Sequence, residues 1–131
     1  MVYLDYSATT PPCSDVIDEF VLASRKYIGN PNSVHNLGIN AKKRIDYATK
    51  NILNILNLDS NDVIYTSGSS EANNLAIKGV CAANKGKHII TTTYEHSSVI
   101  GPINRLCSNG YDVSFVKLNS NGTVDIDDLK N

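Results

Sequence analysis

Two polar constellations in this sequence combine residue types and spacing that can do chemistry. In the first, Tyr65-Thr66-Ser67-Gly68-Ser69-Ser70-Glu71-Ala72-Asn73-Asn74, a strand-like run enters a Gly/Ser turn that opens directly into a helix-like segment. The first N–H groups of a helix have no intrahelical partner and lie at the positive end of its macrodipole, so such a turn can hold an anion. Gly68 lets the backbone approach the anion closely, and Ser69 and Ser70 add hydroxyl donors. A Ser/Gly turn before a helix also serves as a plain N-cap, and both readings stand on these residues alone. Glu71, in the first turn, competes for the same dipole, so its carboxylate must point away from a bound phosphate.

The second constellation is Tyr94-Glu95-His96-Ser97-Ser98-Val99. An imidazole with an ordinary pKa of ~6.5 can give and take protons near neutrality, although a lone histidine after a strand also reads as a satisfied surface or core residue. His35, in Gly29-Asn30-Pro31-Asn32-Ser33-Val34-His35-Asn36-Leu37-Gly38, is open to both substrate contact and a turn with a helix cap. His88 belongs to no such block and reads as structural. Cys13, Cys81 and Cys107 are odd in number and widely spaced, with no Cys-x-x-Cys pair, so they suggest neither a disulfide framework nor a zinc site. No metal site is expected.

These residues must be positioned by alternating elements. Ser14 is a candidate N-cap for a helix with the stripe Ile17, Phe20, Val21, Ser24 and Ile28, stopped by Gly29-Asn30-Pro31. Ser33 is a candidate start for a second helix, whose stripe Ile45, Ala48, Ile52 and Ile55 leads to a loop at Asp59-Ser60-Asn61-Asp62. Val63–Thr66 reads as a strand, Ser70–Asn84 as a helix, Lys87–Thr92 as a strand, Val99–Asn109 as a helix and Val113–Leu118 as a strand. Asn121-Gly122-Thr123 reads as a turn, followed by the first turn of a further helix. The alternation implies an α/β fold with a mostly parallel sheet flanked by helices and right-handed crossovers. Ligands of such sheets sit outside the carboxyl ends of the strands, where the Ser/Gly turn and Glu95-His96 are expected.

Composition sets the outer bounds. The chain has 131 residues, 41% hydrophobic and 19% charged, enough to bury one core. Twelve basic and thirteen acidic residues give a net charge of −1, with no basic run beyond Lys42-Lys43-Arg44, which reads as a solvated helix face. That balance offers no footprint for nucleic acid or an anionic membrane. No apolar run approaches the ~20 residues of a membrane span, and no targeting segment opens the chain, so a cytoplasmic location is the default expectation.

Taken in order and spacing, four blocks carry a family resemblance: Tyr3-Leu4-Asp5-Tyr6-Ser7-Ala8-Thr9-Thr10-Pro11-Pro12, the segment 29–38, the Ser/Gly turn with its helix, and Tyr94–Val99. The chain resembles the N-terminal third of cysteine desulfurases, pyridoxal-phosphate enzymes of the class V aminotransferase group. That resemblance implies a fragment of the large domain of a fold-type I pyridoxal-phosphate transferase. Residues 1–13 would belong to the small domain and substrate entrance, and 14–131 to the N-terminal part of the cofactor-binding large domain. It implies that Gly68, Ser69 and Ser70 hold the cofactor phosphate, and that His96 stacks on the pyridine ring and assists proton transfer. Ser7, Ala8 and His35 would approach the substrate, L-cysteine.

In the family, sulfur passes to an enzyme cysteine, alanine leaves, and a sulfur-acceptor protein such as an iron–sulfur scaffold receives the persulfide. The enzymes are homodimers. The cofactor-binding lysine, its Ser-x-His-Lys context, the aspartate that pairs with the pyridine nitrogen and the sulfur-accepting cysteine have no match here. Family members run to roughly three times this length, so the resemblance implies an N-terminal fragment inactive by itself. A related class V aminotransferase, a selenocysteine lyase, and a non-catalytic binding or dimerisation module are the other readings that these residues leave open.

Overall fold

The computed structural model describes residues 2–58 and 60–131, in two compact units, Met1–Val63 and Ile64–Asn131. The first unit holds helices α1 (Ser14–Lys26) and α2 (Asn36–Leu56). The second runs α3 (Ser69–Ala83), β1 (His88–Thr92), α4 (Ser97–Cys107), β2 (Asp112–Val116) and α5 (Ile126–Lys130).

In the first unit the helix starts differ from the sequence expectation. The cap position of α1 is Cys13, with no side-chain bond, and Ser14 is already helical, its hydroxyl turned 3.5 Å from the Asp15 carboxylate. The α2 helix begins two residues later than a Ser33 cap would place it, because His35 supplies the acceptor: its Nδ1 takes the Gly38 N–H at 3.3 Å. An imidazole nitrogen thus does what a serine oxygen commonly does at this position. The loop before it folds tightly onto the first turn of α2. A Cβ on Gly38 would lie 2.4 Å from the Ser33 carbonyl oxygen and 2.5 Å from that of Asn30, and one on Gly29 would lie 2.4 Å from the Leu37 carbonyl carbon. Both glycines are required by close backbone approach. An ion pair between Glu19 and Arg44 ties the two helices and holds the guanidinium pKa above its ordinary value. At the far end of α2, Asn57 adopts the left-handed conformation (φ 55°), and the Leu58 N–H returns to the Leu53 carbonyl at 2.9 Å, a Schellman-type stop.

In the second unit β1 and β2 pair in parallel, His88 opposite Asp112 through Thr92 opposite Val116, with α4 as the connecting helix. A parallel pair needs such a crossover, which explains the helix between two β-branched runs. Residues 63–66, expected as a strand, form none. Their run has strand composition, but the sheet described here consists of β1 and β2 alone, and composition makes no ladder without a pairing partner. The core is small: Ile103 and Leu106 of α4 and Val116 of β2 are buried, joined by Thr91 and Ser98. The α4 helix packs against both α3 and β2.

Short polar devices close the remaining connections. The Tyr111 hydroxyl donates to the Cys81 carbonyl at 2.9 Å, fastening the end of α3 to the turn before β2. Across the sheet, His88 Nε2 lies 2.7 Å from Ser114 Oγ, in keeping with its structural reading. Gly122 (φ 83°) makes the expected turn, and Asp125 caps α5 by accepting from Asp127 and Asp128. No helix among the described residues is long and apolar enough to cross a membrane.

Candidate functional site

The α3 N-terminus is open. Its cap residue, Gly68, brings no side-chain acceptor, and the N–H groups of Ser69, Ser70 and Glu71 have no acceptor among the described residues. Backbone bonding resumes at Ala72, whose N–H reaches the Gly68 carbonyl at 3.1 Å. A Cβ built on Gly68 would meet nothing within 4 Å, so the space in front of this turn is free. Gly68 is extended (φ 165°), and its value here is room rather than an unusual backbone conformation. Ser69 and Ser70 are exposed.

Glu71 is tied back, as its place in the first turn required. Its Oε2 accepts from both the N–H and the hydroxyl of Ser67, each at 2.7 Å, and these bonds to the ionised form lower its carboxyl pKa. The carboxylate is thereby engaged with the residue before the cap instead of with the open N–H groups. Thr66 Oγ1 adds a bond to the Gly68 carbonyl at 3.2 Å.

His96 follows the carboxyl end of β1 and is the cap residue of α4, with its side chain exposed. Nδ1 accepts the Ser98 N–H at 3.1 Å and lies 2.9 Å from Ser98 Oγ. Ser98 Oγ in turn accepts from Asn73 Nδ2 at 2.8 Å. Asn73 sits one helical turn beyond Ser69 and Ser70 on α3, so the open helix start and the histidine cap are joined by side-chain hydrogen bonds. Glu95, half-buried beside His96, accepts from Thr92 Oγ1 at 3.0 Å.

A helix start whose first N–H groups have no acceptor can take an anion, and here two exposed serines stand in that first turn. Along all but its first residue, the sequence matches the family model described as aminotransferase class V, over residues 2–131. The chain belongs to the class V aminotransferase family. This class V chain is 40% identical over 131 residues to the cysteine desulfurase IscS of Dictyoglomus turgidum, a match covering 98% of this chain and 33% of that protein. Among solved structures, a NifS-like protein superposes with a TM-score of 0.92 at 31% identity, over 98% of this chain and 36% of the other. SspA, solved in complex with cysteine, superposes with a TM-score of 0.84 at 28% identity, over 98% of this chain and 38% of its own. The α/β architecture with a parallel sheet is therefore that of the desulfurase-like structures. The class V chain spans about a third of the length of the curated relatives it matches.

Of the residues singled out from sequence, Gly68, Ser69, Ser70 and His96 all lie in the second unit, with His96 bonded to Ser98 and Ser98 to Asn73, one helical turn beyond Ser69 and Ser70. Ser7, Ala8 and His35 belong to the first. Ala8 closes a turn by donating its N–H to the Asp5 carbonyl at 3.1 Å, with Tyr3 reaching the carbonyls of Asp5 and Thr9. Among the described residues no hydrogen bond links His35 to Ser7 or Ala8. Cys13 and Cys107 are exposed free thiols, and Cys81 is half-buried. The roles of Asn73 and Ser98 were missed in the sequence. Both stand inside the quoted blocks, but nothing local signals a bond between residues so far apart in the chain.

Proposed function

We propose that this chain supplies the phosphate cradle and the proton-handling histidine of a pyridoxal-phosphate-dependent cysteine desulfurase. In this reading it works in a polypeptide of its relatives' length, where L-cysteine gives alanine and the sulfur passes to an enzyme cysteine. The observation that carries the reading is the uncapped α3 start linked by Asn73 and Ser98 to His96. Its donor set fits the cofactor: unclaimed N–H groups and two hydroxyls suit a phosphate dianion, and Glu71, bound to Ser67, puts no carboxylate bond on those groups. The similarity to desulfurases at 40% identity, and to a structure holding cysteine, supports the choice of reaction and substrate.

Bound pyridoxal phosphate would supply the electron sink for breaking bonds in the amino acid. The chain's own residues do the rest. Ser69 and Ser70 would hold the phosphate by N–H and hydroxyl, and Gly68 would leave it space. His96 would stack against the pyridine ring and assist proton transfer. Ser7, Ala8 and His35 border the substrate entrance, residues 1–13 falling with the small domain and 14–131 with the large one. The persulfide goes to an acceptor protein such as an iron–sulfur scaffold, and the working enzyme is a cytoplasmic homodimer. The exposed apolar side chains of the second unit, Ile64, Ile90 and Phe115 among them, provide faces for the rest of such an enzyme to cover.

The test is calorimetric titration of the chain with pyridoxal phosphate and with pyridoxal, followed by alanine and sulfide measurement on the gene product purified from its own host. Phosphate-dependent binding, weakened by the double substitution S69A/S70A, and alanine formed from cysteine are the expected results. Equal affinity for pyridoxal, or no alanine from a cofactor-loaded protein, would overturn the reading.

A further inference from the structure

We propose that Ser98 and Asn73 are positioning residues that lock His96 in one tautomer, with its proton on Nε2. The inference deepens the function proposed above and rests on it for the use made of His96. Its geometry is independent of any ligand.

A backbone N–H can only donate. Because the Ser98 N–H points at His96 Nδ1 from 3.1 Å, that nitrogen must present its lone pair, and in the neutral ring the proton resides on Nε2. The Ser98 hydroxyl reinforces the assignment. Asn73 Nδ2 is also a donor, so Ser98 Oγ receives it with a lone pair at 2.8 Å and is left to direct its own O–H toward Nδ1 at 2.9 Å. The three side chains form a one-way relay, Asn73 to Ser98 to His96, rooted on α3 and ending on the cap of α4. Ser98 is only 6% exposed, so water competes little for its hydroxyl.

The lock has a chemical consequence. A neutral His96 offers a donor at Nε2, the nitrogen with no partner among the described residues, and its only basic nitrogen is engaged in the cap. It therefore meets a ligand as a hydrogen-bond donor at Nε2, since giving that proton away outright would leave an imidazolate unless Nδ1 were first freed from the cap and protonated. Taking up a proton at Nε2 requires the ring first to surrender one, and taking it at Nδ1 requires the cap to open. The even-handed exchange that sequence alone suggested for the imidazole is narrowed to hydrogen-bond donation at Nε2 for as long as the cap stays closed. His35 shows the contrast: its Nδ1 is held by the Gly38 N–H alone, at 3.3 Å, with no relay behind it.

Long-range proton–nitrogen correlation spectra of the 15N-labelled chain, recorded without cofactor on the neutral ring, read the tautomer directly. The wild type is expected to show His96 as Nε2–H. S98A keeps the backbone bond and removes the hydroxyl, so the minor Nδ1–H population should rise about fivefold, the worth of one net hydrogen bond. S98T should restore the wild-type ratio. N73A, on the less buried partner, should move the ratio in the same direction by a smaller factor, and it carries the test if S98A fails to fold. An Nδ1–H ring in the wild type, or an unchanged ratio in both variants with intact amide spectra, would overturn the proposal. Because the readout uses no cofactor, a chain that keeps the tautomer but ignores phosphate would refute the cofactor reading alone. One that binds phosphate with an indifferent tautomer would refute the lock alone.

Discussion

The starts of α3 and α4 lie side by side and are finished in opposite ways. At α4 a histidine side chain closes the turn, and its acceptor nitrogen is used up in doing so. At α3 a glycine leaves the turn open, and the acidic side chain of its first turn, Glu71, is drawn back onto Ser67. An N-terminus can be made stable or made available, and this unit does one of each on neighbouring helices. The difference teaches which start has donors to spare: α3, where the first N–H groups have no acceptor among the described residues and where we propose that the ligand's charge binds. The same contrast separates the glycines. Gly38 is hemmed in by carbonyls, whereas Gly68 faces open space.

The glycine pair gives the largest effect. Gly38→Ala should destabilise the first unit by roughly 1–3 kcal/mol, because its neighbours are backbone atoms that cannot swing aside. Gly68→Ala should leave thermal unfolding within about 0.5 kcal/mol of wild type while weakening phosphate binding. Equal unfolding midpoints for the two variants would break the comparison. Next comes S69A/S70A, for which titration calorimetry should record a loss of about tenfold in pyridoxal phosphate affinity, near the lower value for hydrogen bonds to a charged group. Pyridoxal binding should not change.

Replacing the closing residue, His96→Ala, should cost about 1 kcal/mol as an ordinary lost cap, seen in chemical denaturation. The smallest effect concerns Glu71. Its folded-state pKa is depressed by the Ser67 bonds, so its contribution is present above the ordinary carboxyl value of about 4.3 and is lost as pH falls through the lower folded value. The protection of the Ser67 amide relative to its intrinsic exchange rate should therefore fall on acidification in the wild type and be low at every pH in E71Q. Protection that is independent of pH in the wild type would remove Glu71 from the device. The Lys117–Asp128 pair should behave in both directions: the lysine is held up and the carboxylate down, so their bond is lost on strong acidification and again as pH rises through the raised lysine value.

Much of this was legible from local pattern, and the misses have a common cause. Helical periodicity and β-branched runs placed α3, β1, α4 and β2 to within a few residues, since those signals are set by neighbours in sequence. The caps at α1 and α2 were displaced because Ser14 and Ser33 have the right chemistry without the right geometry, while His35, rarely thought of as a cap, has both. Residues 63–66 have the composition of a strand, but pairing depends on what lies beside them. The loop Asp59–Asp62 was expected from composition, and Asp59 lies outside the described residues. At the site, the Ser/Gly turn and His96 were visible as motifs. The Asn73–Ser98 bond that joins them spans 25 positions and exists only in the packed unit.

The open start of α3 as a phosphate site is tested most directly by amide spectroscopy of the 15N-labelled chain. Adding pyridoxal phosphate should shift the N–H resonances of Ser69, Ser70 and Glu71 more than any others, inorganic phosphate should shift the same three more weakly, and pyridoxal should leave them in place. Shifts centred elsewhere, or none at these amides while the cofactor binds, would contradict the assignment of the phosphate to this helix terminus.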